Sequence, residues 1–193
     1  MPAIARDSLL TLEAYAKQRP EMRAQAIAHK RARTVHLGEH LTLLFEDETT
    51  IRYQIQEMLR IEKTFEEEGI QDELDAYNPL VPDGSNLKAT MLIEYEDEDE
   101  RRAALARLRG VEDAIWLQVD NEPRVAPIAD EDLDRETADK TSSVHFLRFE
   151  LTPAMIAGWK GGARVAVGVD HPDYRAELTL SAQQREALAA DFA

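Results

Sequence analysis

The chain has 193 residues, no cysteine, and 38 Asp plus Glu against 23 Lys plus Arg, a formal net charge of −15. That length buries a core without covalent staples, and the missing thiols remove disulfides, thiolate zinc sites, iron–sulfur ligation and cysteine nucleophiles. The negative field opposes phosphate backbones and anionic headgroups, no apolar window reaches the ~18 residues of a membrane span, and the N-terminus lacks a signal-peptide pattern, so the expectation is a cytoplasmic protein with no nucleic-acid or membrane partner.

Residues 8 to 33 read as helix in two pieces, because Pro20 lacks an amide hydrogen and disfavours the helical conformation at Arg19. From Val35 the period changes to two. Val35, Leu37, Leu41, Leu43 and Phe45 alternate around Gly38-Glu39, the composition of a two-residue hairpin turn. In that register Leu37 faces His40 and His36 faces Leu41, which sends the two imidazoles to opposite faces.

Residues 49 to 68 carry the strongest helical pattern, with Ile51, Ile55, Met58, Leu59 and Phe65 on one face and Gly69 as the stop. A shorter helix is expected over 72 to 77 and a strand over 89 to 95. Asp97 with Glu100 resembles a capping box that opens a helix to about Arg109, closed by Gly110. A strand follows over 114 to 119. Residues 129 to 143 are polar and read as a solvated, mobile loop inside one domain spanning residues 1 to 193. Three further strands are expected over 144 to 151, 164 to 169 and 174 to 180. Thr152-Pro153 and Ser181 with Gln184 cap two short helices. Helices gathered early and strands gathered late predict an α+β fold, with N-terminal helices and a long central helix packed on a mainly antiparallel sheet.

Within the central helix, Gln54, Met58 and Glu62 form one stripe that falls in the apolar arc. A carboxylate on a buried face needs a cation, a proton or a metal, so Glu62 reads either as a ligand or as half of a structural ion pair. His29, His36 and His40 fall close together, and imidazole is a common metal ligand; His40, Gln54 and Glu62 are therefore the candidate metal set, with Glu57 a second candidate for proton transfer. His29 shares a helical face with Met22 and Ala26, and His145 shares the alternating face of Leu147, Phe149 and Leu151; both read first as buried histidines satisfied by hydrogen bonds. His171 sits in a connecting turn. Lys30, Arg31 and Arg33 read as a solvated helix C-terminus, where cations suit the dipole. No phosphate-binding glycine pattern, G-x-S-x-G elbow or H-E-x-x-H pair is present.

The stretch LTLLFEDETTIRYQIQEMLRIE (residues 41 to 62) resembles the signature of a bacterial family known as a domain of unknown function. Segments 73 to 82, 89 to 94 and 167 to 174 resemble the same family in the same order. That resemblance implies a bacterial protein of unassigned activity, encoded near rubrerythrin and an iron–sulfur oxidoreductase, and hence an accessory role in redox or oxidative-stress metabolism with iron or another transition metal as the cofactor to consider. The leading expectation is a non-catalytic accessory or binding protein with a redox partner protein. The alternatives are a metal-dependent enzyme with a His/Glu site and an oligomeric scaffold, for which a homo-oligomer is expected.

Overall fold

The structure, a computed structural model, describes residues 4–193. Among these residues it has six α-helices and two antiparallel sheets, so the protein is α+β. The larger sheet has the order β1-β2-β3-β6-β5, from strands β1 (Thr34–Leu37), β2 (Leu41–Glu46), β3 (Asn86–Ile93), β5 (Ile128–Ala129) and β6 (Val144–Glu150). The smaller has the order β4-β7-β8, from β4 (Ile115–Val119), β7 (Val165–His171) and β8 (Tyr174–Thr179). One apolar core takes residues from both sheets: Leu43, Phe45, Met91 and Phe149 from the larger, Leu117 and Val167 from the smaller.

Strand alternation decides what faces that core. On β3, Leu87, Ala89, Met91 and Ile93 are buried while Lys88, Thr90 and Leu92 turn to the opposite face. A second apolar cluster joins α2 (Glu48–Glu62) and α3 (Glu67–Tyr77) through Ile51, Ile55, Leu59, Ile70 and Leu74. Helices α4 (Glu98–Arg107), α5 (Pro153–Lys160) and α6 (Ala182–Ala189) begin at the expected caps, Asp97, Thr152 and Ser181.

Three expectations are corrected. Helix α1 (Leu12–Arg31) runs unbroken through Pro20. Tyr15 Oη and the Arg19 guanidinium both donate to Glu57 of α2, at 2.6 and 2.8 Å, which holds the turn before the proline in place. Ala16, whose carbonyl loses its helical partner to the proline, is exposed to solvent.

The first hairpin is shifted by one residue. Leu37 pairs with Leu41 and His36 with Thr42, leaving a three-residue loop in which Gly38 adopts φ 71°. Tyr174 of the smaller sheet causes it: its hydroxyl donates to the Leu37 carbonyl at 2.6 Å and accepts the His40 amide at 3.0 Å. A Cβ at Gly38 would lie 2.5 Å from that hydroxyl.

Helix α2 stops at Glu62 rather than running to Gly69, which lies within α3. Lys63 turns left-handed at φ 56°, and its amide and that of Thr64 both reach the Leu59 carbonyl. The buried face therefore ends at Leu59; Glu62 is exposed, and Phe65 is 70% exposed.

Candidate functional site

The candidate residues from the sequence lie in separate places. The His40 ring stacks on Tyr95 at 3.8 Å, with Nδ1 2.9 Å from the Glu94 carbonyl. His36 is exposed, Nδ1 3.0 Å from Thr42 Oγ1. Gln54 is half-buried along α2 and Glu62 is exposed at its end. His29 Nε2 lies 2.6 Å from Asp47 Oδ2. His171 is buried, its Nε2 2.9 Å from the Arg109 carbonyl and its Nδ1 3.2 Å from the Asp173 amide. Glu57 receives Arg19, Tyr15 and Arg60, and those bonds, Arg19's foremost, hold its carboxyl down at about 2. A carboxylate that strongly held does not exchange protons near neutrality.

The basic cluster is the largest departure from expectation. Arg33 is 1% exposed, not a solvated helix end. Its Nε donates to the Phe45 carbonyl at 2.9 Å, Nη1 to the Ala187 carbonyl at 2.9 Å, and Nη2 to the Glu46 carbonyl at 3.1 Å and to Asp191. Asp47 lies 3.4 Å from Nη1. Burial pushes the Asp191 carboxyl up to about 6 against the pull of Arg33. Every nitrogen of this guanidinium is used, which is the signature of a structural knot tying β1 and β2 to the C-terminal helix.

A cleft of about 550 Å³ opens between α3 with the turn after it and the face of β3 and β6 turned away from the core. Its apolar lining comes from Met58, Tyr77, Leu80 and Phe146. Its charged lining is largely paired internally. Arg148 holds Glu131 through two bonds of 2.7 Å, and Arg135 pairs with Asp132 and lies 4.6 Å over the Phe146 ring. Lys88 donates to the Pro79 carbonyl, and burial lowers its ammonium below the ordinary range. Burial raises the Glu73 carboxyl on the opposite wall, reinforced by the charges of Glu62 and Asp72.

Behind that cleft, on the core face of β6, lies His145, fully buried. Its Nδ1 is 2.6 Å from Asp130 Oδ2; its Nε2 faces Thr141 Oγ1 at 2.8 Å, the Ser142 carbonyl at 3.1 Å and Glu112 Oε2 at 3.9 Å. Asp130 adopts φ 50° and also receives the Phe146 amide and Arg135. Residues 130 to 142 thus fasten both the cleft wall and the histidine. Glu112 is 8% exposed; burial raises its carboxyl, and its Oε2 finds no hydrogen-bond partner among the described residues. Among the described residues, Glu112, Asp130 and His145 form the one His/Asp/Glu group whose ligand atoms all lie within 4.8 Å of one another. Alternation along β6 marked His145; nothing in the spacing marked Glu112 or Asp130.

A family model covers residues 3–192 of this chain. The chain belongs to the family described as "Protein of unknown function (DUF3501)". It is also similar to a crystal structure of a novel protein of unknown function from Burkholderia pseudomallei, at 62% identity and a TM-score of 0.95, with all of both chains covered. No curated protein matches it. Among the described residues no helix is long and apolar enough to cross a membrane.

Proposed function

We propose that the protein is a non-catalytic binding protein, an accessory of redox or oxidative-stress metabolism as the family resemblance implies, and that it takes up a small molecule with an apolar body and a charged end in the cleft over β3 and β6. The observation that carries this reading is the cleft itself: about 550 Å³ lies within the ~300–1,000 Å³ of small-molecule sites, and an apolar floor is ringed by charges already paired with one another. The Arg148–Glu131 and Arg135–Asp132 pairs of that rim orient a ligand's polar end.

Amide NMR titration with octanoate, phenylacetate and octylamine tests it. The expected result is saturable shifts confined to residues 73–80, 88, 131–135 and 146–148 for at least one probe, abolished in Phe146→Asp with the circular dichroism spectrum unchanged. Absence of saturable shifts, or equal shifts in the variant, contradicts the reading.

A second reading, that the cleft is an active site, is favoured by Lys88 and Glu73, whose protonation equilibria are displaced toward neutrality from opposite walls. Reductive alkylation near neutral pH separates the two: an active-site amine modifies at Lys88 ahead of the other lysines, whereas uniform labelling leaves the binding reading.

A further inference from the structure

His145 faces a concentration of oxygen that the protein alone does not neutralise. Around Nε2 lie a hydroxyl, a backbone carbonyl and a buried carboxylate oxygen without a donor. A neutral imidazole whose proton sits on Nδ1, toward Asp130, presents a lone pair to the Ser142 carbonyl at 3.1 Å and to Glu112 at 3.9 Å. At 3.1 Å a bare Nε2 lone pair and the Ser142 carbonyl repel unless a proton or a cation lies between them. A proton on Nε2 answers Thr141 and Ser142 but leaves Glu112 Oε2 beyond hydrogen-bond reach. A metal ion with bonds of ~2.0–2.2 Å on either side spans the 3.9 Å between Nε2 and Glu112 Oε2.

We infer that His145 Nε2, Glu112, Thr141 Oγ1 and the Ser142 carbonyl form a binding site for a divalent first-row cation, with Asp130 as the positioning residue that holds the imidazole by Nδ1. The donor set is one nitrogen and the rest oxygen, with no sulfur, which suits Mn²⁺, Fe²⁺ or Zn²⁺ rather than a soft ion. A carboxylate on the far nitrogen of a metal-bound histidine fixes the tautomer and strengthens the ligand. Charge supports the assignment as well: Asp130 is answered by Arg135, whereas Glu112 has no cation bonded to its inward oxygen. This site is independent of the cleft reading, since it uses the opposite face of β6.

The test uses the full chain purified without chelator. Metal content is read by elemental mass spectrometry, and affinity by calorimetric titration of the chelator-stripped protein with Mn²⁺, Zn²⁺ and, anaerobically, Fe²⁺. The expected result is saturation at about one ion per chain for at least one of the three, ~10–100-fold weaker binding in Asp130→Asn, and a larger loss in Glu112→Gln. Glu112→Gln is close to isosteric, so a matching circular dichroism spectrum keeps the result interpretable if Asp130→Asn fails to fold. Failure of the wild type to retain or take up any of these ions, or unchanged affinity in Glu112→Gln, overturns the inference and leaves His145 as a buried histidine held by its hydrogen bonds to Asp130, Thr141 and Ser142.

Discussion

The knot around Arg33 and the cluster around His145 are both buried groups of charged side chains behind the larger sheet, yet they are built differently. In the first, each guanidinium nitrogen has a carbonyl or carboxylate partner, and the pair is closed on Asp191 from the last residues of the chain. In the second, Asp130 is saturated by His145, Arg135 and the Phe146 amide while Glu112 Oε2 is left without a donor. Burial of a charge costs several kcal/mol either way. A fold that completes the first group and leaves the second open keeps the open one at the expense of stability, which is the ordinary mark of a site rather than a strut.

The sharpest way to break this contrast is Arg33→Met, which strands Asp191 and leaves Asp47 to His29 and the Thr50 amide. Loss of one partner from a buried pair costs ~3–5 kcal/mol, so urea denaturation is expected to show a loss in that range, partly recovered by Asp191→Leu in the same chain. A loss below about 1 kcal/mol would mean that the knot is not structural. Glu57→Gln comes next. It keeps an acceptor for Tyr15 but removes the charge facing Arg19 and Arg60, and ~1–2 kcal/mol is expected from the same measurement. Tyr174→Phe removes a neutral bridge to Leu37 and His40. About 1 kcal/mol is expected, together with faster amide exchange in the loop at residues 38 to 40.

Acid titration separates two carboxylates of opposite sign. Glu57, depressed from 4.5 to about 2, contributes stability that is complete above pH 4.5 and is lost as the pH falls through about 2. Asp191, raised from 3.8 to about 6, binds its proton more tightly when folded, so it adds stability as the pH falls from 6 toward 4. The stability–pH curves of Glu57→Gln and Asp191→Asn are each expected to lack the corresponding slope of the wild type. An Asp191→Asn curve parallel to wild type between pH 6 and 4 would contradict the environment described for it.

Most elements were legible because periodicity and caps are local. The ends that moved did so through contacts remote in sequence: Tyr174 reset the hairpin register across 137 positions, and Glu57 carried α1 through Pro20. Arg33 was misread as a helix end although it shares the parity of Val35 and Leu37, the buried face of β1; that alternation was the available signal. Glu62 shows the converse error. Its wheel position lies in the apolar arc, but the helix outruns its packing partners one turn earlier, at Leu59. His145 was legible from alternation with Leu147 and Phe149, whereas Asp130 and Glu112 reach it from a polar loop and a 3-10 turn that carry no period.

The most direct test of the contrast is the unfolding free energy of chelator-stripped Glu112→Gln against stripped wild type. If Glu112 Oε2 is an unsatisfied charge kept for a ligand, the amide, which replaces that buried charge with a neutral group, leaves stability unchanged or raises it by up to about 1 kcal/mol while metal uptake is lost. A loss of ~3 kcal/mol or more, the size expected for Arg33→Met, would show that Glu112 is a strut and contradict the account.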